Sequence, residues 1–377
     1  MNIVTKIKQL IEELCPNGIS YKELQDILTI KNGSDYKNLG EGDFPVYGSG
    51  GIMTYVDRFA YDKPSVLIPR KGSIDKLYYV DTPFWNVDTI FYTEINTDVA
   101  IPKFVFYCLQ KQHLEELNTA GGVPSLTQKV LNKVKIPVPP LPVQEEIVRI
   151  LDTFTELTTE LTTELTTRKQ QYEHYTYQLL NFDDTVQTHQ LRELIDFRNG
   201  KGHEKDIVSD GKYIVVNSKF ISTNGEVKKY SNKQICPLFV DDILMVMSDL
   251  PNGRALAKCF LVAEDDKYTL NQRIGAFHVK DESVIKTKFL LYVLNRNQQL
   301  LKYDNGVDQT NLRKDDILDI MIPVPSIEEQ ERIVAILDRF DTLCNDISEG
   351  LPAEIEGRRK QYEYYRDKLL TFKELSK

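Results

Sequence analysis

The chain has no long apolar run: mean hydropathy is −0.36, and 27% of the 377 residues are charged. At the N-terminus Ile3, Ile7, Leu10, Ile11 and Leu14 fall at helical spacing instead of forming a continuous stretch. This pattern argues against a signal peptide or membrane span, so the expected location is cytoplasmic, with no membrane partner. Cysteine is scarce as well. The five residues Cys15, Cys108, Cys236, Cys259 and Cys344 form no CxxC pair, and they read as buried thiols in a reducing compartment. Catalytic signatures are missing: there is no GxGxxG after a strand, no GxxxxGK[ST], no HExxH, and no Asn-Pro-Pro-Tyr-type tetrapeptide of the sort that holds a flipped base. The histidines His113, His174, His189 and His278 are scattered, and His203 in GKGHEKD is expected on a surface loop. No catalytic residue, metal ligand or cofactor site is expected.

A positive charge balance is also lacking, since net charge is −9 and pI about 5.3. The acidity is local: −6 falls in residues 136–185 and −3 in 322–377. The long segments between are close to neutral and can still present a basic face.

What the chain does have is a repeat. IPVPPLPVQEEIVRILDTF (136–154) and IPVPSIEEQERIVAILDRF (322–340) share 12 of 19 residues. RKQQYEHYTYQLLNF (168–182) and RRKQYEYYRDKLLTF (358–372) share 8 of 15. The chain is therefore two half-molecules in tandem. The expected division is an N-terminal helix (1–20), a first globular domain (21–135), a helical segment (136–183), a second globular domain (184–321) and a second helical segment (322–377).

The first globular segment reads as mixed α/β. Short β-rich runs at 44–48, 65–69, 76–80 and 89–95 precede a helix opened by Pro102. The second follows the same order with different loops: KFLLYVLNRNQQL answers KFVFYCLQKQHL, and NGVDQTNLRKDDILDIMIPVP answers GGVPSLTQKVLNKVKIPVP. In the repeated blocks apolar residues recur on three- and four-residue steps. Copy one runs through Ile147, Leu151, Phe154, Leu161, Leu165, Tyr172, Tyr175, Leu179 and Phe182. Copy two runs through Ile333, Leu337, Phe340, Cys344 and Ile347, breaks at Gly350 and Pro352, and resumes at Tyr362, Tyr365, Leu369 and Phe372. These are coiled-coil seams, and the copies are expected to pack antiparallel. Ser326 with Glu329 forms a capping box. The fold expected is α+β: two α/β domains separated by two long antiparallel coiled-coil helices, with pseudo-twofold internal symmetry.

Copy one also holds TELTTELTTELT, Thr155 to Thr166. Threonine is a mediocre helix former, and each four-residue unit lengthens a helix by ~6 Å. The insert reads as a ruler or as a tolerated helical repeat.

Polar, basic and aromatic residues gather in the variable loops. The candidate DNA contacts of the first domain are Tyr47, Ser49, Arg70, Lys71, Ser73 and Asn86, with Trp85 as a reader or a core residue. Those of the second are Arg198, Asn199, Lys201, Asn217, Lys219, Arg254, Asn271, Gln272 and Arg273. Arg pairs with guanine and Asn or Gln with adenine, while Lys and Ser meet phosphates.

The two proline-led helix starts, the RRKQYEYYRDKLLTF ending and the order domain, helix, domain, helix together resemble a type I restriction-modification specificity subunit (S, or HsdS) over the whole chain. The resemblance implies that each globular domain is a target recognition domain reading one half of a split site in double-stranded DNA. It implies helices that form the spacer and dock methyltransferase (M) subunits, which use S-adenosylmethionine for N6-adenine methylation, while restriction (R) subunits join for cleavage. The chain itself would be non-catalytic and without cofactor. The resemblance also favours the ruler reading of TELT. The competing reading is a coiled-coil scaffold or adaptor that binds proteins and no DNA.

Overall fold

The structure, a computed structural model, describes residues 3–118, 125–251, 255–346 and 348–375. It divides into two compact units, Met1–Glu164 with Leu351–Lys377, and Leu165–Gly350. Among the described residues no helix is long and apolar enough to cross a membrane.

In the first unit the strand Tyr21–Glu23 pairs antiparallel with Lys135–Pro137 and closes the domain between them. A four-stranded antiparallel sheet runs in the order Leu28–Asn32, Ile90–Ile95, Ser65–Pro69, Tyr78–Val80. A three-stranded sheet places Phe44–Gly48 between Gly51–Val56 and Trp85–Asn86, the latter pairing parallel. The helix Pro102–Lys111 has its proline in the first turn, as expected. It ends at Lys111, and just beyond it His113 adopts a left-handed backbone, φ 47°. Its Phe104, Tyr107 and Cys108 are buried in the same core as Ile147, Leu151 and Phe154 of the long helix Leu141–Leu180. Each such side chain contributes about 1.5–3 kcal/mol by leaving water.

The second unit repeats the plan. Thr188–Gln190 pairs with Met321–Pro323. The four-stranded sheet is Ile195–Asn199, Ile274–Val279, Ile243–Val246, Cys259–Leu261. The mixed sheet gains a strand, in the order Ile207–Val208, Tyr230–Ser231, Tyr213–Val216, Tyr268–Leu270. Phe289, Leu290 and Leu294 of the helix Thr287–Leu294 share a core with Ile333 and Leu337 of the helix Ile327–Asn345.

In both units the same side chains tie domain to helix. Gln144, fully buried, accepts from the Ile101 N–H (2.9 Å) and donates to the Val99 and Pro139 carbonyls (3.0 and 2.7 Å). Gln330, equally buried, accepts from the Lys286 N–H (2.8 Å) and donates to Val284 and Pro325 (3.0 and 2.9 Å). Further along, Asp152 accepts from Lys103 Nζ (2.9 Å) and from the Tyr107 hydroxyl (2.5 Å). Asp338 accepts from Lys288 Nζ and the Tyr292 hydroxyl, both at 2.7 Å. Burial and these carboxylates push both tyrosine hydroxyls well above their usual pKa.

The seam is antiparallel in each unit. In the first, Phe154 stacks on Tyr365 of the helix Leu351–Leu369 (5.2 Å), and Thr158, one turn on, shares a cavity wall with Arg359 and Tyr362. In the second, Cys344 lies beside Arg168 and Lys169, while Phe340 stacks on Tyr172 and Tyr175 (6.1 and 5.5 Å). Ile347 of the expected seam lies outside the described residues. The break expected at Gly350 is present: a Cβ there would meet the Thr342 carbonyl at 2.4 Å. Ser326 caps its helix by accepting from the Glu329 N–H (3.4 Å).

The TELT insert is helical throughout, inside the 40-residue helix Leu141–Leu180. Its threonine hydroxyls are satisfied within the helix by donating back to carbonyls four residues earlier: Thr155 to Leu151, Thr158 to Phe154, Thr159 to Thr155, Thr162 to Thr158 and Thr163 to Thr159, at 2.8–3.0 Å.

Candidate nucleic-acid interface

In the first unit the hairpin turn at Ser49, between the strands Phe44–Gly48 and Gly51–Val56, meets the loop that follows Pro69. The Tyr78 hydroxyl donates to the Ser49 carbonyl (3.2 Å), and a Cβ on Gly72 would lie 3.4 Å from Ser49 Oγ. Gly72 has φ +78°, which lets this loop turn sharply. Lys71 is exposed and pairs by its backbone with Ser125, and Ser73 is half-buried beside it. Arg70 lies over the Phe91 ring at 5.3 Å, with its Nε enclosed and without a partner among the described atoms. Tyr47 packs among Tyr78 and Phe84, and burial raises its hydroxyl pKa.

Asn86 is placed differently from a loop reader. It is fully buried in a strand, where its side-chain nitrogen donates to the Ile90 carbonyl (2.8 Å) and so closes its own turn. Trp85 is half-buried and donates to the Ser34 carbonyl at 3.0 Å. The rim thus consists of Ser49, Lys71 and Ser73, flanked by exposed Ile52, Met53 and Tyr55.

In the second unit several candidates converge. Asn199 ends a strand opposite Gly275, and Lys201 bridges to Asn271. Gly200 is required there, because a Cβ would sit 1.8 Å from the Asn271 carbonyl. Gln272 and Arg273 project from the same turn and are exposed, Arg273 with φ 68°. Gln272 donates to Glu204 (2.6 Å), and the Asn271 side-chain oxygen is enclosed without a partner among the described atoms.

Arg198 is held by its own domain. It ion-pairs with the fully buried Asp242 and donates to the Pro237 carbonyl (3.0 Å), over the Phe239 ring. Asn217 caps the short helix Ser218–Ser222 by accepting from the Phe220 N–H (2.9 Å), and Lys219 is exposed on that helix. Arg254 lies outside the described residues. His203 corrects the surface-loop expectation: it is 1% exposed, bonded to the Lys201 carbonyl (2.7 Å) and Thr269 Oγ1 (2.9 Å). The close backbone approach at Gly200 accompanies this inward fold, a geometry that spacing along the chain does not reveal.

The backbone ladders make the two rims comparable seat by seat. The Arg70 N–H donates to the Thr89 carbonyl and its own carbonyl accepts from Leu126, both at 2.9 Å. Met247 makes the same bonds to Arg273 (2.9 Å) and Leu312 (2.8 Å). Arg70 therefore occupies the seat of Met247, and Thr89 that of Arg273. Lys71 corresponds to Ser248, which donates to Asn311 (2.7 Å) and accepts from Gln309 (2.8 Å). Ser248, Gln309 and Asn311 were not among the sequence candidates. Their signal lay in counting back from the repeated IPVP at Ile136 and Ile322, which puts Asn311 in the seat of Ser125. Leu250 and Val307, 67% and 75% exposed, stand close to the strand pair Asp249–Thr310.

One frame used twice, carrying two unlike polar rims, defines a tandem binding-module protein. The family model for the type I restriction modification DNA specificity domain matches residues 16–168 and 183–357, and the chain belongs to that family, the type I specificity (S, HsdS) subunits. It is 33% identical over 306 residues to the Escherichia coli type I restriction enzyme EcoR124I/EcoR124II specificity subunit, covering 74% of this chain and 73% of that one. It is 29% identical to S.HindORF215P of Haemophilus influenzae over 98% of both chains. The crystal structure of the type I restriction-modification S subunit from M. genitalium shares the fold, with TM-score 0.59 and 16% identity over 94% of this chain and 96% of that one. Specificity subunits are themselves non-catalytic; methylation and cleavage are done by the M and R subunits.

Proposed function

We propose that the domains at 21–135 and 184–321 are target recognition domains, each reading one half of a bipartite site in double-stranded DNA. The observation that carries this is the repeated frame with unlike rims. Ser49, Lys71 and Ser73 serve the first half-site; Asn199, Lys201, Asn271, Gln272 and Arg273 serve the second, with Lys219 toward the phosphates. Arg and Gln supply base-edge contacts, Lys and Ser hold the backbone, and Leu250 and Val307 suit thymine methyl groups. Arg70 is held back over Phe91 with its Nε enclosed, and it would have to swing off that ring to reach a guanine.

The helices form the spacer, and their acidic exposed faces suit protein better than phosphate. They dock M subunits, which carry S-adenosylmethionine, and R subunits join that complex in the cytoplasm. The TELT units set the unread spacing. The test is to express the chain with type I methyltransferase subunits and map N6-methyladenine across the host genome. A split, asymmetric motif is expected; no new methylated motif, or an uninterrupted one, would refute the reading.

A further inference from the structure

The repeated helices share more than helix packing demands. Apolar burial holds a domain against a helix but tolerates rotation and sliding, whereas hydrogen bonds are directional. Each unit ties its domain at two heights. The glutamine bonds the backbone at the start of the helix Pro102–Lys111 or Thr287–Leu294. The aspartate, eight residues later, takes the tyrosine hydroxyl and lysine of that same helix. Two ties at different heights suppress both tilt and rotation. All four partners recur: Gln144 with Gln330, Asp152 with Asp338, Lys103 with Lys288, Tyr107 with Tyr292. The loops they support do not recur. Thr155 at the start of the insert also meets the Tyr107 hydroxyl, whereas the bonds of Thr158 and Thr159 run along the helix to its own carbonyls.

We infer that Gln144, Asp152, Gln330 and Asp338 are positioning residues for recognition. They hold each reading rim at a fixed angle to its helix, so that the separation accepted between half-sites is set by helix length alone. This rests on the bipartite reading above. It goes further by naming what makes the spacing strict, as distinct from what makes it long.

The test uses the full chain in complex with its methyltransferase subunits. Methylation rates are measured on duplexes carrying both half-sites with the native spacer, or with one base pair more or fewer. The variants are Asp152→Asn with Asp338→Asn, and Tyr107→Phe with Tyr292→Phe. The expected result is at least a tenfold loss of discrimination against off-length spacers in the aspartate pair, a smaller loss in the tyrosine pair, and unchanged half-site preference in both. Strict spacing in either folded variant, or an equal drop on all three spacers, overturns the inference while leaving the bipartite reading intact. If the aspartate pair does not assemble, the tyrosine pair decides, because it keeps the rings and removes only the hydroxyls. A wild-type complex without a split motif strikes the bipartite reading itself.

Discussion

Replacing Arg198 with Met separates a structural role from a reading role at one residue. The guanidinium faces Asp242, whose side chain is 0% exposed and also accepts from the Phe239 N–H (2.8 Å) and faces His278 Nδ1 (3.1 Å). Removing one partner of a buried pair costs about 3–5 kcal/mol, because it strands a charge away from water. Here Arg198 is one-third exposed and Asp242 keeps two other contacts, so the expected loss is about 2–3 kcal/mol. For a unit of this size that lowers Tm by roughly 5–10 °C. Thermal unfolding of Arg198→Met, Asp242→Asn and the double variant checks it. The double variant should recover part of the loss, since no buried charge then lacks its partner. If Arg198→Met melts with the wild type yet loses the second half-site, the reasoning is wrong and Arg198 reads DNA.

Deleting residues 159–162, one TELT unit, is expected to keep both half-sites and shorten the spacer in a methylation map; an unchanged spacer would refute the ruler. Gln144→Leu strands the Ile101 N–H and two carbonyls, and should destabilise the first unit by about 3–5 kcal/mol in urea unfolding, with Gln330→Leu doing the same to the second. Glu146 titrates below its ordinary 4.5, at about 2, through hydrogen bonds from Arg149 and then, against the opposing effect of burial, from Lys6. Its stabilisation is therefore complete above pH 4.5 and is lost as the pH falls to about 2. With Lys6 and Arg149 largely in solvent it amounts to about 1 kcal/mol, and Glu146→Gln should flatten that part of the acid unfolding curve.

The frame was legible because it is written twice in residues whose spacing has a physical meaning. Proline-led starts, the seams through Phe154 and Phe340, and the break at Gly350 all follow from helical period and backbone restriction. The rims were harder. Asn86 and Gln272 look alike as polar loop residues, yet one closes a buried turn and the other is exposed; the difference lies in the ladder, where Asn86 occupies the seat of Leu270. The Arg198 ion pair is invisible in the sequence because its partner Asp242 is 44 residues away. His203 is buried through its bond to Thr269, 66 residues away. Such burial is decided by tertiary contacts that no local pattern carries.

The strand pairs that close each domain have a consequence for inheritance. Tyr21 lies opposite Pro137 and Thr188 opposite Pro323, so the chain enters and leaves each globular domain through neighbouring strands. A whole domain can therefore be cut out and another grafted at two adjacent joints. On the proposed reading, a lineage would change the word it recognises by exchanging one cassette, without having to invent a new frame to hold it.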